Sequence, residues 1–123
     1  MVMGNNRAKG NAAETIAAEY LTENGYNILE RNYYIRNAEI DIIAENGRYI
    51  IFIEVKSRSS LKHGMPSESV TKAKQKSIST AALTYLQKIG KLDYAVRFDV
   101  IEILKIDTAY HINHIKQAFD FIM

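Results

Sequence analysis

Two apolar runs, 38–44 (AEIDIIA) and 49–56 (YIIFIEVK), flank Glu45-Asn46-Gly47-Arg48. Both are rich in isoleucine, valine and aromatic residues, which suit a pleated strand. Asn-Gly between such runs supplies the positive φ angles of a two-residue hairpin loop. Residues two apart on a strand share a face. Glu39, Asp41 and Ile43 therefore lie together, as do Ile50, Phe52, Glu54 and Lys56. Ile40 and Ile42 with Ile51, Ile53 and Val55 form the opposite, core-facing side. An Asn46-Gly47 loop pairs Glu45 with Arg48, and counting back pairs Asp41 with Phe52 and Glu39 with Glu54.

The rest of the chain supplies partners for this hairpin. Ala13, Ile16, Ala17, Tyr20 and Leu21 recur at helical spacing, and Asn24-Gly25 stops that helix with a residue tolerant of the left-handed conformation. Residues 27–35 read as a strand. A long helix is expected over 67–89, capped by Ser67 or Ser69, with Val70, Ala73, Ile78, Ala81, Ala82, Tyr85 and Ile89 as its core stripe and Gly90 as its end. Residues 95–104 form a further strand, and the tail from His111 reads equally as a short strand or a helical turn. The order α-β-β-β-α-β, with a hairpin at its centre, predicts an α/β or α+β domain with a mixed sheet. At 123 residues, with 47% hydrophobic and 24% charged side chains, the chain is expected to form one domain, 1–123.

Three carboxylates on one strand face repel one another, more so if partly buried. A cation resolves the clash, and carboxylate oxygens suit a hard divalent ion such as Mg²⁺ or Mn²⁺, held by one or two carboxylates with waters and substrate phosphates completing its shell. Lys56 beside the cluster is placed to orient a water or to neutralise charge developing on a phosphoryl group. The alternative is a surface salt bridge between Glu39 and Lys56, with Asp41 capping a strand end. Glu14 falls on the flank of the first helix's apolar stripe, beside Ala17, Ala18 and Leu21.

The overall charge of +2 does not argue for a nucleic-acid partner, but its placement does. Lys56, Arg58, Lys62, Lys72, Lys74 and Lys76 face a single acid, Glu68, between residues 56 and 76. Such clustering is the electrostatic footprint of phosphate binding, or else an ordinary solvated face. Lys74 lies by helical angle on the core stripe with Ala81 and Tyr85, so it either snorkels to water or faces the sheet edge and contacts a substrate phosphate. Tyr33 and Tyr34 point to opposite faces, so at most one would stack on a base; packing accounts for both. His63, His111 and His114 have no metal-ligand spacing to the acids and read as structural. With no cysteine, no signal-peptide core near the N-terminus and no run approaching the roughly 20 apolar residues of a membrane span, a cytoplasmic protein without a membrane partner is expected.

Asp41 followed by Glu54-Val55-Lys56 resembles the D…ExK arrangement of the restriction-endonuclease-like nucleases. Five segments in order extend the likeness over nearly the whole chain: Gly10-Asn11-Ala12-Ala13-Glu14, 38–44, Phe52-Ile53-Glu54-Val55-Lys56-Ser57-Arg58, Arg97-Phe98-Asp99-Val100 and His114-Ile115-Lys116-Gln117-Ala118-Phe119. Together they resemble the YraN-like family, a widespread bacterial group of small candidate endonucleases related in fold to archaeal Holliday-junction resolvases. The resemblance implies a restriction-endonuclease-like fold with a divalent-metal site at one sheet edge. It implies Asp41, Glu54 and the Val55 carbonyl as ligands and Lys56 as the catalytic lysine. Glu14 would complete the site, with Glu39 as a neighbouring acid, and Lys74 matches a lysine position of the family. Ala13 and Ala38 stand where the family usually has glycine, and no Q-x-x-x-Y element follows on the second helix, which disfavours the RecB-type branch.

These expectations combine into a Mg²⁺- or Mn²⁺-dependent endonuclease acting on DNA, including branched or structured DNA. Arg58, Lys62, Lys72, Lys74 and Lys76 would contact the nucleic acid. Resolving a symmetric junction would require a homodimer, since two opposed cuts need two sites. The rival readings are a nucleic-acid-binding module that keeps the fold without cutting, and a protein-interaction domain in which the acids are structural.

Overall fold

The computed structural model describes residues 5–35, 38–58 and 70–122, with the side chains of the first helix from Ala12 onward. Its elements are α1 (Asn5–Glu23), β1 (Asn27–Ile35), β2 (Ala38–Asn46), β3 (Tyr49–Arg58), α2 (Lys72–Ile89), β4 (Ala95–Ile106) and β5 (Ala109–Phe119). The strands form one sheet in the order β1-β2-β3-β4-β5. Only the β3–β4 pair is parallel. This is an α/β architecture with a mixed sheet in the expected α-β-β-β-α-β order, and the tail extends it as β5.

The helices lie on opposite faces of the sheet. Ala13, Ala17 and Leu21 of α1 pack with Ile42, Ala44, Ile51, Ile53, Ile101 and Ile103. On the other side Ile78, Ala81, Ala82, Tyr85 and Leu86 of α2 pack with Ile43, Ile50, Phe52, Phe98 and Val100. The central strands are apolar on both faces because both faces are covered, as expected of sheet interiors. Gly25, with φ 87, ends α1 in the left-handed conformation anticipated for it.

Helix α2 starts later than the sequence suggests. Thr71, extended at φ −64 and ψ 159, accepts a hydrogen bond from the Lys74 N–H at 3.2 Å and is the N-cap. The expected caps Ser67 and Ser69 lie outside the described residues. Ala73, placed on the core stripe by spacing, is exposed in the first turn, where α2 has not yet reached the sheet.

The hairpin register also differs. Asn46 pairs with Tyr49 and Ile43 with Phe52, so the loop is Gly47-Arg48 and not Asn46-Gly47. Gly47 has φ 61 and Arg48 does not share a positive φ. One positive φ at the first loop position is the glycine-led form of a two-residue turn, not the Asn-Gly form. The expected pairs Asp41–Phe52 and Glu39–Glu54 are therefore not made.

On the α1 side, β4 and β5 are joined through fully buried Asp99. Its carboxylate accepts from Arg97 Nε and Nη2, both at 2.8 Å, from the Gln117 N–H at 3.0 Å, and meets His114 Nε2 at 2.7 Å. Arg97 also reaches the Tyr26 hydroxyl at 2.9 Å, and His114 Nδ1 meets the Tyr20 hydroxyl at 2.9 Å. Burial alone would raise the Asp99 carboxyl, but the bonds from His114 and Arg97 outweigh it and hold the group below the usual carboxylate range. Gln117 sits at φ 53 where the β4–β5 register shifts, so Asp99 satisfies the N–H that this irregularity frees. Replacing Asp99 with alanine leaves the half-buried Arg97 guanidinium and the Gln117 N–H without their carboxylate and should cost about 3 kcal/mol. Urea unfolding measures this as a lower midpoint at unchanged slope, and a loss under about 1 kcal/mol would remove Asp99 from this role.

Candidate active site

The β2–β3 ladder runs from Asn46↔Tyr49 to Ile42↔Ile53 and stops one step short of placing Asp41 opposite Glu54. There the Asp41 side chain replaces the backbone partner, its Oδ2 accepting the Val55 N–H at 2.8 Å. The alternation of β2 inverts at the same residue. Ile42 packs on the α1 side, whereas Ile40 and Ala38 pack on the α2 side with Ile43. Strand β1 inverts in step: the Asn32–Asp41 pair is missing between Arg31↔Ile42 and Tyr33↔Ile40, and Asn32 adopts φ 51. Ile40 is thus not on the face with Ile42 as strict alternation predicts. Glu39 is turned toward α1 and away from Glu54.

Glu54 continues the face of Phe52 toward α2 and is 6% exposed. Its Oε1 accepts Lys74 Nζ at 2.6 Å and lies 3.5 Å from Lys56 Nζ. Lys74 therefore reaches the sheet edge and does not simply snorkel to water, although its side chain stays 43% exposed. Desolvation would lower the Lys74 ammonium, but its bond to Glu54 prevails and raises it. Asp41 is pushed up to about 7, first by burial and then by the charge of Glu54, against the opposing Val55 hydrogen bond. Neighbouring Glu14 and Glu39 add to the same effect.

Glu14, expected on the flank of α1, is buried at 7% exposure. Burial raises its carboxyl; Arg31 opposes this, and Glu39 and Glu54 reinforce it. Sequence reasoning missed Asn32. Its amide faces two carboxylates, which requires the nitrogen to point at them. So oriented, it donates to Glu14 Oε1 at 2.6 Å, Glu14 Oε2 at 3.0 Å and Glu39 Oε1 at 3.3 Å.

In kind, these donors fit a hard divalent cation: mutually repelling carboxylates, two of them nearly buried, with one pushed up to about 7. Among the described residues, no group of three or more His, Asp or Glu stands in metal-holding geometry. Asp41 is engaged by the Val55 N–H and Glu54 by lysine, while Glu14 and Glu39 meet at the Asn32 amide on the α1 side.

The basic residues divide. Arg58 Nε contacts Glu102 Oε2 at 3.4 Å, and that carboxylate also accepts from Asn113 at 3.1 Å, so Arg58 is largely committed within the sheet face. Lys72 and Lys76 are exposed on α2, and Lys62 lies outside the described residues. A groove of ≈ 390 Å³ between α2 and the start of β2 is lined by Ala38, Glu39, Ala73, Lys74, Ser77 and Ile78. Tyr33 packs edge-on against Tyr85 with centroids 5.0 Å apart, and Tyr34 is 71% exposed. No described helix is long and apolar enough to cross a membrane.

Fold and site together define an α/β sheet domain carrying a carboxylate–lysine cluster where two central strands part. The sequence pattern of the family described as "Uncharacterised protein family UPF0102" matches residues 13–103, which include Glu14, Glu39, Asp41, Glu54 and Lys56. A UPF0102 protein of Geobacter metallireducens is 46% identical over 115 residues, covering 94% of each chain. One from Clostridioides difficile is 46% identical over 115 residues, covering 94% of this chain and 99% of that one. The chain belongs to the UPF0102 family, the YraN-like group to which its motifs point. Among solved structures it is similar to the Holliday junction resolvase Hjc of Archaeoglobus fulgidus, at 19% identity and a TM-score of 0.43, covering 84% of this chain and 74% of that one. It is also similar to Pyrococcus furiosus SfsA in complex with Ca²⁺, at 13% identity and a TM-score of 0.41, covering 90% and 63%.

A carboxyl raised on folding holds a proton that the unfolded chain has lost, so metal-free stability should fall as pH rises from about 4 to about 7. Asp41→Asn keeps an acceptor for the Val55 N–H and removes the charge. Melting curves across that range should flatten in this variant, which should be the more stable protein at pH 8. An unchanged pH profile would contradict the placement of Asp41.

Proposed function

We propose that this protein is a divalent-cation-dependent phosphodiesterase that cuts DNA, with branched or otherwise structured DNA as its substrate class. The observation that carries the reading is the packing of Asp41 and Glu54 together at the end of the β2–β3 ladder, with the ammonium groups of Lys56 and Lys74 aimed at Glu54. Surplus buried negative charge of this kind costs stability and persists when a cation uses it. Asp41, Glu54 and the Val55 carbonyl would hold Mg²⁺ or Mn²⁺, with Glu14 and Glu39 completing its surroundings. When bound, the cation supplies Lewis-acid activation of a water and stabilises charge on the attacking and leaving oxygens.

The chain's own residues do the rest. Asp41 is fixed by the Val55 N–H, so one ligand is aligned without loss of side-chain freedom on binding. Lys56 stays beside Glu54 and offers a proton-bearing cation to the non-bridging phosphate oxygens or the incoming water. Lys74, partly exposed at the mouth of the groove, is placed to exchange its Glu54 contact for a substrate phosphate. Lys72 and Lys76 extend positive charge along α2 for the phosphates beyond.

One observation favours a second reading. With Lys74 at 2.6 Å and Lys56 at 3.5 Å, Glu54 is neutralised without any cation, as it would be in a module that binds nucleic acid but does not cut it. A cleavage assay on linear, single-stranded, flapped and four-way-junction DNA with Mg²⁺ or Mn²⁺ separates the two. Wild-type protein should cut, and Glu54→Ala and Lys56→Ala should each lose at least about a hundredfold in rate. Salt-sensitive binding with no cutting would establish the binding module, and neither cutting nor binding would overturn both.

A further inference from the structure

We infer that Asn32 is a positioning residue that holds Glu14 and Glu39 ready for the cation; this rests on the reading of the site proposed above. Three elements meet at its amide. The nitrogen, carried by β1, donates to both oxygens of Glu14 from α1 and to one oxygen of Glu39 from β2, at 2.6, 3.0 and 3.3 Å. Among the described residues these are the only side-chain donors to either carboxylate. Without them, two facing carboxylates, one of them buried, would push each other apart.

The backbone has the same purpose. At φ 51 Asn32 occupies the left-handed region, which asparagine tolerates better than most residues. That conformation inverts the alternation of β1 opposite Asp41 and aims the amide at α1. A strained non-glycine residue whose side chain bridges two acids of a candidate site points to function more than to folding. Partners that orient ligating carboxylates typically influence metal affinity ten- to a hundredfold.

Asn32→Gly preserves the φ angle and deletes the amide. Titration calorimetry with Mn²⁺ should show its dissociation constant raised about tenfold over wild type. In a Glu14→Gln background the same substitution should cost less than about twofold, because the carboxylate through which Asn32 acts is already gone. Equal losses in both backgrounds, or Asn32→Gly binding Mn²⁺ as wild type does, would overturn the inference and leave the proposed function standing. Wild-type protein that fails to bind Mn²⁺ would overturn the proposed function and the inference with it. Asn32→Asp gives a readout without metal. It replaces the donor with a third acceptor, so the protein should melt at a lower temperature than wild type and regain the difference when Mn²⁺ is added. Melting identical to wild type in metal-free buffer would show that no donor is needed there, which also overturns the inference.

Discussion

The hydrogen bond from the Val55 N–H to Asp41 Oδ2, at 2.8 Å, governs the geometry of this molecule. A ladder that continued past Ile42↔Ile53 would satisfy Val55 and its neighbours with backbone groups and leave Asp41 and Glu54 facing each other as ordinary cross-strand side chains. The side-chain bond lets β2 depart from β3 without leaving a buried N–H unpaired. Once the strands part, Glu54 is free to meet α2 while Glu39 turns to α1. The Asn32 conformation keeps β1 in step with the change. Pairing between β1 and β2 resumes beyond it at the same register, so the sheet remains one sheet.

The electrostatics follow from that geometry. Four carboxylates gather around the point of departure, and burial raises two of them, Glu14 and Asp41. Glu54 takes two lysines as partners. A net charge of +2 therefore conceals strong local fields: acids at the strand gap, lysines along α2, and a separate Arg58–Glu102 pair within the sheet face. The Asp99 cluster is the structural counterpart. Its carboxylate is fully buried, but arginine, histidine and a backbone N–H satisfy it, and it is held below the usual range. The two aspartates are shifted in opposite directions, Asp41 up to about 7 and Asp99 down, because only Asp99 has cationic partners for its carboxylate.

Much of this was legible in the sequence because it depends on local spacing. The apolar runs around Gly47, the strand at 27–35 and the Gly25 stop express residue-level preferences, and they stand where expected. Glu54 and Lys56 share a face as their spacing on β3 predicts, but Glu39 does not join them there, because the inversion of β2 at Asp41 breaks the i, i+2 rule. The exact pairing was not legible. Asn46-Gly47 and Gly47-Arg48 are both acceptable loops, and the choice moves every cross-strand partner by two. The inversion at Asp41 was hidden for a different reason: it requires a left-handed Asn32 in a neighbouring strand, and nothing in either strand alone signals it. Likewise Glu14 read as a flank residue because the burial of a helix flank is decided by the partner, here the edge of β1 and β2. The tail hairpin was obscured by Asp107, whose φ of 57 closes the turn before Ala109 without a glycine.

The most direct test is a crystal structure of the wild-type protein grown with Mn²⁺, using anomalous scattering to locate the metal. A peak within ligating distance of Asp41 and Glu54 is expected, with Lys74 Nζ released from Glu54 Oε1. A fully formed Lys74–Glu54 contact and no peak at the acids, in crystals soaked at millimolar Mn²⁺, would contradict the proposed cation site.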